Sequence, residues 1–491
     1  MKKTTILLLT FFTIINTGYA QSLLQKGSDI DAEAEYDGAG CAVSMPDNHT
    51  LAVGASANGR AYQGHVRIYR WNGSAWIQKG ADIDGEAVFD GSGFSLSMPD
   101  SNTIAIGAQD NDGNGSNAGH VRIYRWNGST WRQRGADIDG EAAGDYSGFS
   151  VSMPDSNTVA IGATYNDDER YGAGHVRIYR WNGSAWVQKG SDIDREATGD
   201  LSGWSVSMPD SNTVAIGAPF NDGNGTDAGH VRIYQWDGSA WLQKGTDIDG
   251  EAAYDGSGWS VSMPDNNTVA IGALYNDGNG TDAGHVRIYR WNGSAWVQKG
   301  IDIDGEAPVD FSGYSVSMPD SNTVAIGAPF SDGNGRAGRV RIYQWSESAW
   351  MQKGIDIDGE AANDFSGLSV SMPDSSTVAI GAPDNKGKGT DAGHARVYSF
   401  ESVTNIGQLE NDFGNAIKIY PNPTKAELSI DLGVNYNDVN VIIRNPLGQD
   451  ILKKKYSSSS LVHINIPGEA GPYFIEVKSG HKKAILKVMK E

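Results

Sequence analysis

Carboxylate and amide side chains recur at fixed spacing in two kinds of loop along this chain. In the first kind they stand on a glycine-rich stretch, at Asp222, Asn224 and Asp227 and again at Asp277, Asn279 and Asp282. In the second kind they belong to an Asp-Ile-Asp-Gly-Glu motif and its continuation, at Asp247, Asp249, Glu251 and Asp255. Oxygen ligands on a loop that can wrap a cation suit Ca²⁺. The pattern makes calcium a candidate cofactor and these residues its candidate ligands.

Two other interpretations of these loops stay open. Aspartates such as Asp247 and Asp255 can accept hydrogen bonds from backbone amides as turn caps, with the remaining carboxylates solvated. Alternatively, the acidic loops form a polar platform for a sugar or a basic partner. The spacing is not that of an EF-hand loop, because the acidic residue that closes such a loop is missing. Copies also differ, for example at residues 385–388, so the sites need not be equal in every repeat.

A histidine recurs once per repeat, and one repeat has arginine instead: His65, His120, His175, His230, His285, His394 and Arg339. A ring of histidines can indicate metal binding. However, one histidine per repeat is dispersed and Arg339 is an unsuitable ligand, which favours a local hydrogen bond at the start of a strand. The chain has no nucleophile elbow, phosphate loop or paired zinc motif. We therefore expect no enzymatic activity.

These loops belong to a repeat whose Ser-Met-Pro-Asp segment recurs in steps of 53 to 55 residues, with prolines at Pro46, Pro99, Pro154, Pro209, Pro264, Pro319 and Pro373. A period of this length indicates a propeller or an array. In one unit, residues 204–208 and 213–218 read as strands joined by a tight turn, and residues 231–236 and 240–244 as strands joined by Asp237-Gly238. Four strands per unit is the content of a propeller blade.

The two ends of the repeat region complement each other. The last repeat stops after residues 394–400 without a fourth strand, whereas residues 23–27 align with the fourth-strand residues 241–245. An open array would leave unpaired strand edges, which closure by the N-terminal strand removes. The sequence therefore predicts an all-β, seven-bladed propeller closed by its N-terminal strand. In such blades the long acidic loops all lie on one face, and outer-strand tryptophans such as Trp241 pack between blades.

The chain start and the composition restrict location and partners. Lys2 and Lys3, an apolar run and a small-residue cleavage site predict a signal peptide over residues 1–20. No later run is apolar enough to span a membrane. The net charge of −21 argues against nucleic acid as a partner. The single cysteine, Cys41, excludes an intramolecular disulfide, and we interpret it as a buried structural thiol.

The repeats resemble a known family. Residues 312–317, 324–329 and 338–343 are similar to FG-GAP repeats, which build the integrin-type seven-bladed propeller, and the likeness covers roughly residues 22–400. The resemblance implies an extracellular adhesion or recognition module, often with calcium. The family's Asp-x-Asp-x-Asp-Gly loops lie between the first two strands, where this chain has only a Pro-Asp-Ser-Asn turn. Calcium therefore does not carry over to that position.

The tail resembles the type A sorting domain of the type IX secretion system. The matching segments are residues 420–424, which read Tyr-Pro-Asn-Pro-Thr, Leu447-Gly448, residues 471–477 and the lysine-rich end. The resemblance implies an immunoglobulin-like β-sandwich, transport by the secretion machinery, removal of the tail, and release or surface attachment. We predict a propeller over residues 21–403, a linker over 404–416 and the sorting domain over 417–491.

These observations lead to a functional hypothesis. We expect an exported recognition or adhesion protein, secreted or attached to the outer cell surface as a monomer. Its ligand would be an extracellular glycan or a surface protein, bound on the acidic long loops. A purely structural surface-layer or matrix component is one alternative, and a glycan-active propeller enzyme is another, since a fold does not decide a function.

Overall fold

The computed structural model describes residues 22–58, 61–166, 172–331, 335–401, 410–413, 417–420, 424–425, 427–445, 450–468, 471–480 and 482–490. The predicted signal peptide lies outside the described residues. The chain divides into two compact units, one over Leu23–Phe400 and one that includes Glu401–Glu491. In the described ranges, no helix is long and apolar enough to cross a membrane.

The first unit is a ring of seven antiparallel sheets, each with four main strands and one short strand. The chain begins with β1 (Ser22–Gln25) and β2 (Ile30–Asp31). Blade 1 contains β3 (Ala39–Asp47), β4 (Thr50–Ala55), β5 (His65–Trp71), β6 (Trp76–Gln78) and β7 (Ile83–Asp84). Blade 2 contains β8 (Ser95–Asp100), β9 (Thr103–Ala108), β10 (His120–Trp126), β11 (Trp131–Gln133) and β12 (Ile138–Asp139). Blade 3 contains β13 (Ser147–Asp155), β14 (Thr158–Ala163), β15 (His175–Trp181), β16 (Trp186–Gln188) and β17 (Ile193–Asp194).

The remaining blades repeat this order. Blade 4 contains β18 (Ser205–Asp210), β19 (Thr213–Ala218), β20 (His230–Trp236), β21 (Trp241–Gln243) and β22 (Ile248–Asp249). Blade 5 contains β23 (Ser257–Asp265), β24 (Thr268–Ala273), β25 (His285–Trp291), β26 (Trp296–Gln298) and β27 (Ile303–Asp304). Blade 6 contains β28 (Ser315–Asp320), β29 (Thr323–Ala328), β30 (Arg339–Trp345), β31 (Trp350–Gln352) and β32 (Ile357–Asp358). Blade 7 contains β33 (Ser369–Asp374), β34 (Thr377–Ala382) and β35 (His394–Glu401), completed by β1 and β2.

Local sequence explains the strands and turns of a blade, here blade 2. Every residue of β9 is buried, as expected for a β-branched and small-residue strand inside a blade. The β8–β9 turn is closed by Asp100, whose Oδ1 accepts from the Asn102 amide at 2.7 Å. The β10–β11 hairpin turns at Asn127-Gly128, where Gly128 has φ = 102°, a value that suits glycine.

Each blade also has a short fifth strand that the sequence pattern did not predict. In blade 2, β12 pairs with the start of β10, with Ile138 opposite Val121 and Asp139 opposite His120. Ile138 is buried, so the Ile-Asp pair of each connection is held against the sheet instead of forming loop. The candidate ligand Asp249 therefore lies in a strand.

The N-terminal strand closes the ring, which confirms the predicted closure. β1 lies beside β35 in the sheet order β1-β35-β34-β33, and the Lys26 amide donates to the Val397 carbonyl at 2.7 Å. β2 continues the pairing, with Ile30 opposite Ala395. Blade 7 is thus built from both ends of the repeat region, and β35 has a strand partner on both sides.

Two sets of hydrogen bonds link each blade to the next. Near the axis, the serine on an innermost strand accepts from a methionine amide of the following blade, as in Met98 to Ser44 at 3.0 Å, and Met45 to Ser371 completes the circle. At the periphery, an outer-strand indole donates to a lysine or arginine carbonyl of the preceding blade, as in Trp131 to Lys79 at 2.7 Å. The outer tryptophans therefore contribute to packing between blades.

Two long loops of each blade are hydrogen-bonded to each other. In blade 2 the loop between β9 and β10 meets the connection to blade 3, through Gly144 N to Ser116 O at 2.8 Å and Ser147 N to Ala118 O at 2.9 Å. We call the surface formed by these loops, residues 109–119 and 134–146 in blade 2 and their counterparts, the long-loop face. It carries the repeated carboxylates, whereas the opposite side has only tight turns.

The second unit is a six-stranded sheet of β36 (Glu410–Asn411), β37 (Lys418–Tyr420), β38 (Glu427–Arg444), β39 (Asp450–Asn465), β40 (Gly471–Ser479) and β41 (Lys482–Lys490). The predicted sandwich strands are joined into one hydrogen-bonded sheet, because the long strand β38 pairs with β37, β39 and β40. The linker prediction needs a correction: Glu410 and Asn411 pair with β41, and the buried Phe413 joins the core of this unit. Because the Phe413 side chain packs in that core, the segment from Glu410 to Phe413 is part of the second unit.

Candidate functional site

A curved row of aromatic side chains lies at the start of the innermost strands. We call Phe94, Phe149, Trp204, Trp259 and Tyr314 the aromatic arc. The centroids of neighbouring rings are 5.2, 4.6, 4.5 and 5.7 Å apart, the spacing of aromatic pairs in contact. All of these side chains are partly exposed. The propeller thus presents a continuous row of accessible aromatic surface across blades 2 to 6.

A second set of aromatic rings places the arc on the long-loop face. Phe220, Tyr275 and Phe330 stand at the start of the loops between second and third strands. Phe220 lies 5.8 Å from the Trp204 ring, and Tyr275 lies 5.9 Å from the Trp259 ring. The acidic loops and the arc therefore share one side of the disc.

The arc position varies between repeats that are otherwise alike. The glycine before it has a structural role, since its carbonyl accepts from a serine of the preceding blade, as in Ser95 Oγ to Gly148 O at 2.7 Å. The arc position itself holds an aromatic ring in blades 2 to 6 but Leu368 in blade 7 and Cys41 in blade 1. The scaffold therefore accepts different side chains there, and the arc is interrupted on one side.

Cys41 itself is a partly buried free thiol. Its Sγ donates to the Gly93 carbonyl at 3.5 Å, whereas the equivalent carbonyl of Gly148 accepts from the Ser95 hydroxyl; the serine position in blade 1 is Ala42. Burial raises the pKa of the thiol, so the neutral form prevails at neutral pH. This geometry gives Cys41 a structural contact.

The glycine-rich loop candidates are engaged in turn formation. Asp222 Oδ1 accepts from the Asp227 amide at 2.9 Å, and Asn224 donates through Nδ2 to the Gly250 carbonyl at 2.8 Å. The second loop repeats these contacts with Asp282 to Asp277 at 2.8 Å and Asn279 to Gly305 at 2.8 Å. Burial, followed by the neighbouring Asp222, raises the pKa of Asp227, and Asp282 behaves in the same way.

The carboxylates of the blade connection are distributed among different environments. Asp247 accepts from the Gln243 amide at 2.5 Å and faces His230 of blade 4, whereas Glu251 faces His285 of blade 5. Asp255 is buried and accepts from the Glu251 and Ala252 amides at 3.1 and 2.9 Å. Burial, followed by Asp247, raises the pKa of Asp249. The structure thus does not gather the connection's carboxylates into one site.

The histidines instead gather carboxylates from two successive connections. In blade 2, His120 Nδ1 lies 4.0 Å from Glu86 Oε2 and 3.8 Å from Asp137 Oδ2. We call this group and its copies the histidine clusters: Glu86, His120 and Asp137; Glu141, His175 and Asp192; Glu196, His230 and Asp247; Glu251, His285 and Asp302; Glu360, His394 and Asp29. In each, the three ligand atoms lie within 4.8 Å of one another.

The histidine side chains lack the local hydrogen bond that the sequence favoured. Among the residues that the structure describes, their Nε2 atoms are buried without a hydrogen-bond partner, and the distances from Nδ1 to the carboxylates exceed hydrogen-bond length. Burial, followed by Arg122, lowers the pKa of His120 to about 4, and His230 and His285 are lowered to about 4 for the corresponding reasons. These imidazoles are therefore neutral at pH 7.

A buried arginine supports each glutamate of these clusters. In blade 2, Arg122 donates to the Asp84 carbonyl at 2.7 Å, and its Nη1 lies 3.6 Å from Glu86 Oε1. Its guanidinium carbon also lies 5.6 Å from the centroid of the Tyr124 ring. The arginine fixes the connection of the preceding blade against its own blade and orients the glutamate toward the histidine.

A cavity of about 560 Å³ lies among the tight turns of blades 1 and 2. Lys79 in its wall already donates to Asn102 Oδ1 at 2.9 Å, and its Nζ lies 5.2 Å from the Trp126 ring centroid. These contacts hold the blades together, so the Lys79 ammonium of this cavity is already engaged.

The sequence interpretation missed the aromatic arc and the joining of the histidine clusters. The arc residues were visible as a variable position after a repeated glycine. The clusters join residues separated by 34 and 17 positions, as in Glu86, His120 and Asp137, so only the docking of neighbouring blades reveals them.

Comparisons with known proteins agree with these two units. Residues 418–491 match the model described as secretion system C-terminal sorting domain, and residues 194–234 and 243–289 match the FG-GAP repeat model. A comparison with curated proteins gave no match. Among solved structures, a putative 6-phosphogluconolactonase from Bacteroides uniformis ATCC 8492 is 9% identical, with a TM-score of 0.48 over 69% of this chain and 91% of the other. A likeness at that level says nothing about activity.

Proposed function

We propose that this chain, with its FG-GAP repeats and its secretion sorting domain, is an exported recognition protein that binds neutral glycans on the aromatic arc. The sorting domain indicates secretion and attachment at the cell surface. The propeller supplies a rigid disc, and the ligand would contact its long-loop face. The protein acts as a binder without catalysis.

The aromatic arc is the observation that carries this proposal. Partly exposed Trp204 and Trp259, with ring centroids 4.5 Å apart, offer flat apolar surface beside polar loops. Recognition sites combine such surfaces with a few polar groups that set orientation. The apolar faces of sugar rings stack on aromatic rings, while their hydroxyl groups need polar partners.

The charge around the arc selects among glycans. Asp222 and Asp277 are exposed on the long-loop face. Carboxylates accept hydrogen bonds from sugar hydroxyls but repel acidic polysaccharides. We therefore expect neutral glycans to bind and anionic glycans to be excluded.

The test is a glycan array probed with the full chain and with Trp204→Ala/Trp259→Ala. We expect wild-type binding to neutral probes such as β-glucan, mannan or chitin oligosaccharides, with weak binding to pectin. Loss of two stacking rings should reduce affinity by on the order of 10-fold or more. Tyr254→Ala is the matched control, because Tyr254 is exposed on the same face outside the arc.

Three outcomes would count against the proposal. Equal binding by the double variant would place the ligand elsewhere, and absence of binding to every probe would favour a structural component. Hydrolysis of a bound glycan would favour the enzyme alternative. Repeating the array with a chelator tells whether an ion contributes.

A further inference from the structure

The histidine clusters carry an inference that is independent of the proposed glycan site. In each cluster, a histidine side chain with only 1 to 3% exposure points its Nδ1 atom at two carboxylates 3.8 to 4.0 Å away. Among the described residues the buried Nε2 atoms have no hydrogen-bond partner, so Nδ1 is the ring nitrogen that faces possible ligand groups. A neutral imidazole aimed at two carboxylates has the arrangement of a metal ligand set.

Blade 6 shows what this position requires. Arg339 replaces the histidine there, and its guanidinium forms ion pairs with Glu306, with Asp356 at 3.2 Å and with Asp358 at 2.8 Å. Although burial lowers the pKa of Arg339, the hydrogen bond to Asp358 and the surrounding carboxylates raise it overall. The chain itself therefore places a permanent cation at this point of the repeat.

The other clusters hold the same carboxylates without that cation. In blade 5, Glu251, Asp302 and Asp304 correspond to the three carboxylates around Arg339. Arg287 is the nearby base, 3.7 Å from Glu251, and it has its own counterpart in Arg341 of blade 6. Each histidine cluster thus has an excess of negative charge that blade 6 neutralises with a side chain.

The spacing of the ligand atoms fits a small cation. In blade 2, a triangle with sides of 3.8, 4.0 and at most 4.8 Å has a centre within about 2.5 Å of each corner, near the zinc-ligand distances of about 2.0–2.2 Å. Ca²⁺ and Mg²⁺ prefer oxygen ligands alone, whereas an imidazole nitrogen favours a first-row transition metal.

We propose that each histidine cluster binds one divalent transition-metal ion such as Zn²⁺, through histidine Nδ1 and one oxygen each from the glutamate and the aspartate. The glutamate comes from the preceding connection, so each ion fastens a blade to its neighbour's loop. In blade 7 the ion joins Asp29, from the N-terminal segment, to His394 and Glu360. Arg339 performs the same task in blade 6 without an ion.

The test measures metal content and calorimetric titration of the full chain after removal of metals with a chelator. We expect about one Zn²⁺ per cluster, a higher melting temperature with Zn²⁺, and no displacement by Ca²⁺ at the same concentration. Arg339→His should add a site, and His230→Arg should remove one while the fold is kept. His49→Asn is the control, because the corresponding residue in blade 2 is Asn102.

Each outcome decides the proposal. A gain of one ion in Arg339→His, with one lost in His230→Arg, supports it, and this gain does not depend on a destabilised variant. Absence of Zn²⁺ binding at micromolar concentration overturns it. Binding whose stoichiometry is unchanged by both substitutions, or equal binding of Ca²⁺, overturns it as well, because the ions would then lie elsewhere.

Discussion

Blade 7 and blade 4 have the same sheet order but differ in how the chain builds their outer edge. In blade 4 the strands follow one another, and Trp241 donates its indole proton to the Lys189 carbonyl of blade 3 at 2.7 Å. In blade 7 the outer strand β1 comes from the other end of the repeat region and has Leu23 at the tryptophan position. Its neighbour Phe400 stands where blade 4 has Trp236.

The comparison shows which contacts closure retains. The innermost link between blades 6 and 7 is kept, since Met372 N donates to Ser317 Oγ at 2.9 Å, and so is the cluster in which Glu360 faces His394. The peripheral link is reduced, because leucine has no donor for the Lys353 carbonyl of blade 6. The seam between blades 6 and 7 therefore depends on backbone pairing, the inner ring and the charged cluster.

Deletion of residues 23–31 should have the largest effect. It removes the outer strand of blade 7, exposes the edge of β35 and takes Asp29 from its cluster, which together invite intermolecular strand pairing. We expect aggregation, or a fall in the melting temperature of more than about 10 °C. Calorimetry and light scattering measure both. A synthetic peptide of residues 22–31 should partly restore the melting temperature, and an unchanged melting temperature would contradict closure.

Acidification should weaken the metal-free propeller next. For His120, His230 and His285 the pKa in the folded protein, about 4, lies below the ordinary value in the unfolded chain. Between about pH 6.5 and pH 4 the unfolded chain therefore binds more protons, and the free energy of unfolding decreases as the pH is lowered. The charged side chains that face His120 are Glu86, Asp90, Asp137 and Arg122. Protonation of the raised carboxyls, including Glu86, opposes the fall at the acid end.

Urea unfolding at pH 7.5, 6.5 and 5.5 in a chelator should show this decrease, on the order of 1 kcal/mol for each of the three histidines by pH 5.5. The window above pH 5.5 keeps most carboxyls ionised. The variant His120→Gln/His230→Gln/His285→Gln should show a shallower dependence. An equal slope in wild type and variant would assign the decrease to other groups.

Trp241→Leu gives blade 4 the outer edge of blade 7. The change removes the hydrogen bond from the Trp241 indole to the Lys189 carbonyl. It also removes the cation–π contact between Lys189 Nζ and the Trp241 ring, whose centroid lies 4.9 Å away. We expect a loss of about 2–3 kcal/mol in the free energy of unfolding, from lost burial and an unpaired carbonyl. Leu242→Ala is the matched control, since Leu242 is 54% exposed on the same strand. A similar loss in both variants would mean that the indole contact is not special.

How far the sequence predicted the molecule follows from the range of the contacts involved. The turn at Asp100, the Asn127-Gly128 hairpin and the buried strand β9 depend on neighbouring residues, so local patterns were sufficient. Closure was predictable because the missing strand and the surplus strand were both visible. The histidine clusters were not predictable, because Glu86 comes close to His120 only when two blades pack together. A contact across such an interface leaves no pattern in the neighbouring sequence. The short strand β12 was missed for the same reason, since it exists through pairing with β10.

Restoring the peripheral link in blade 7 should have the smallest effect and is the sharpest test of the comparison. Leu23→Trp/Phe400→Trp recreates the tryptophan pair of blade 4, whose rings lie 5.4 Å apart, next to Lys353. A new indole hydrogen bond and a second cation–π contact should add about 1 kcal/mol to the free energy of unfolding, measured by urea denaturation. Leu23→Trp alone should gain less, because Phe400 leaves the indole without its paired ring. If the double variant is destabilised, the space between blades 6 and 7 is too small for two tryptophans. Blade 7 would then differ from blade 4 in the packing of smaller side chains and not in a missing hydrogen bond.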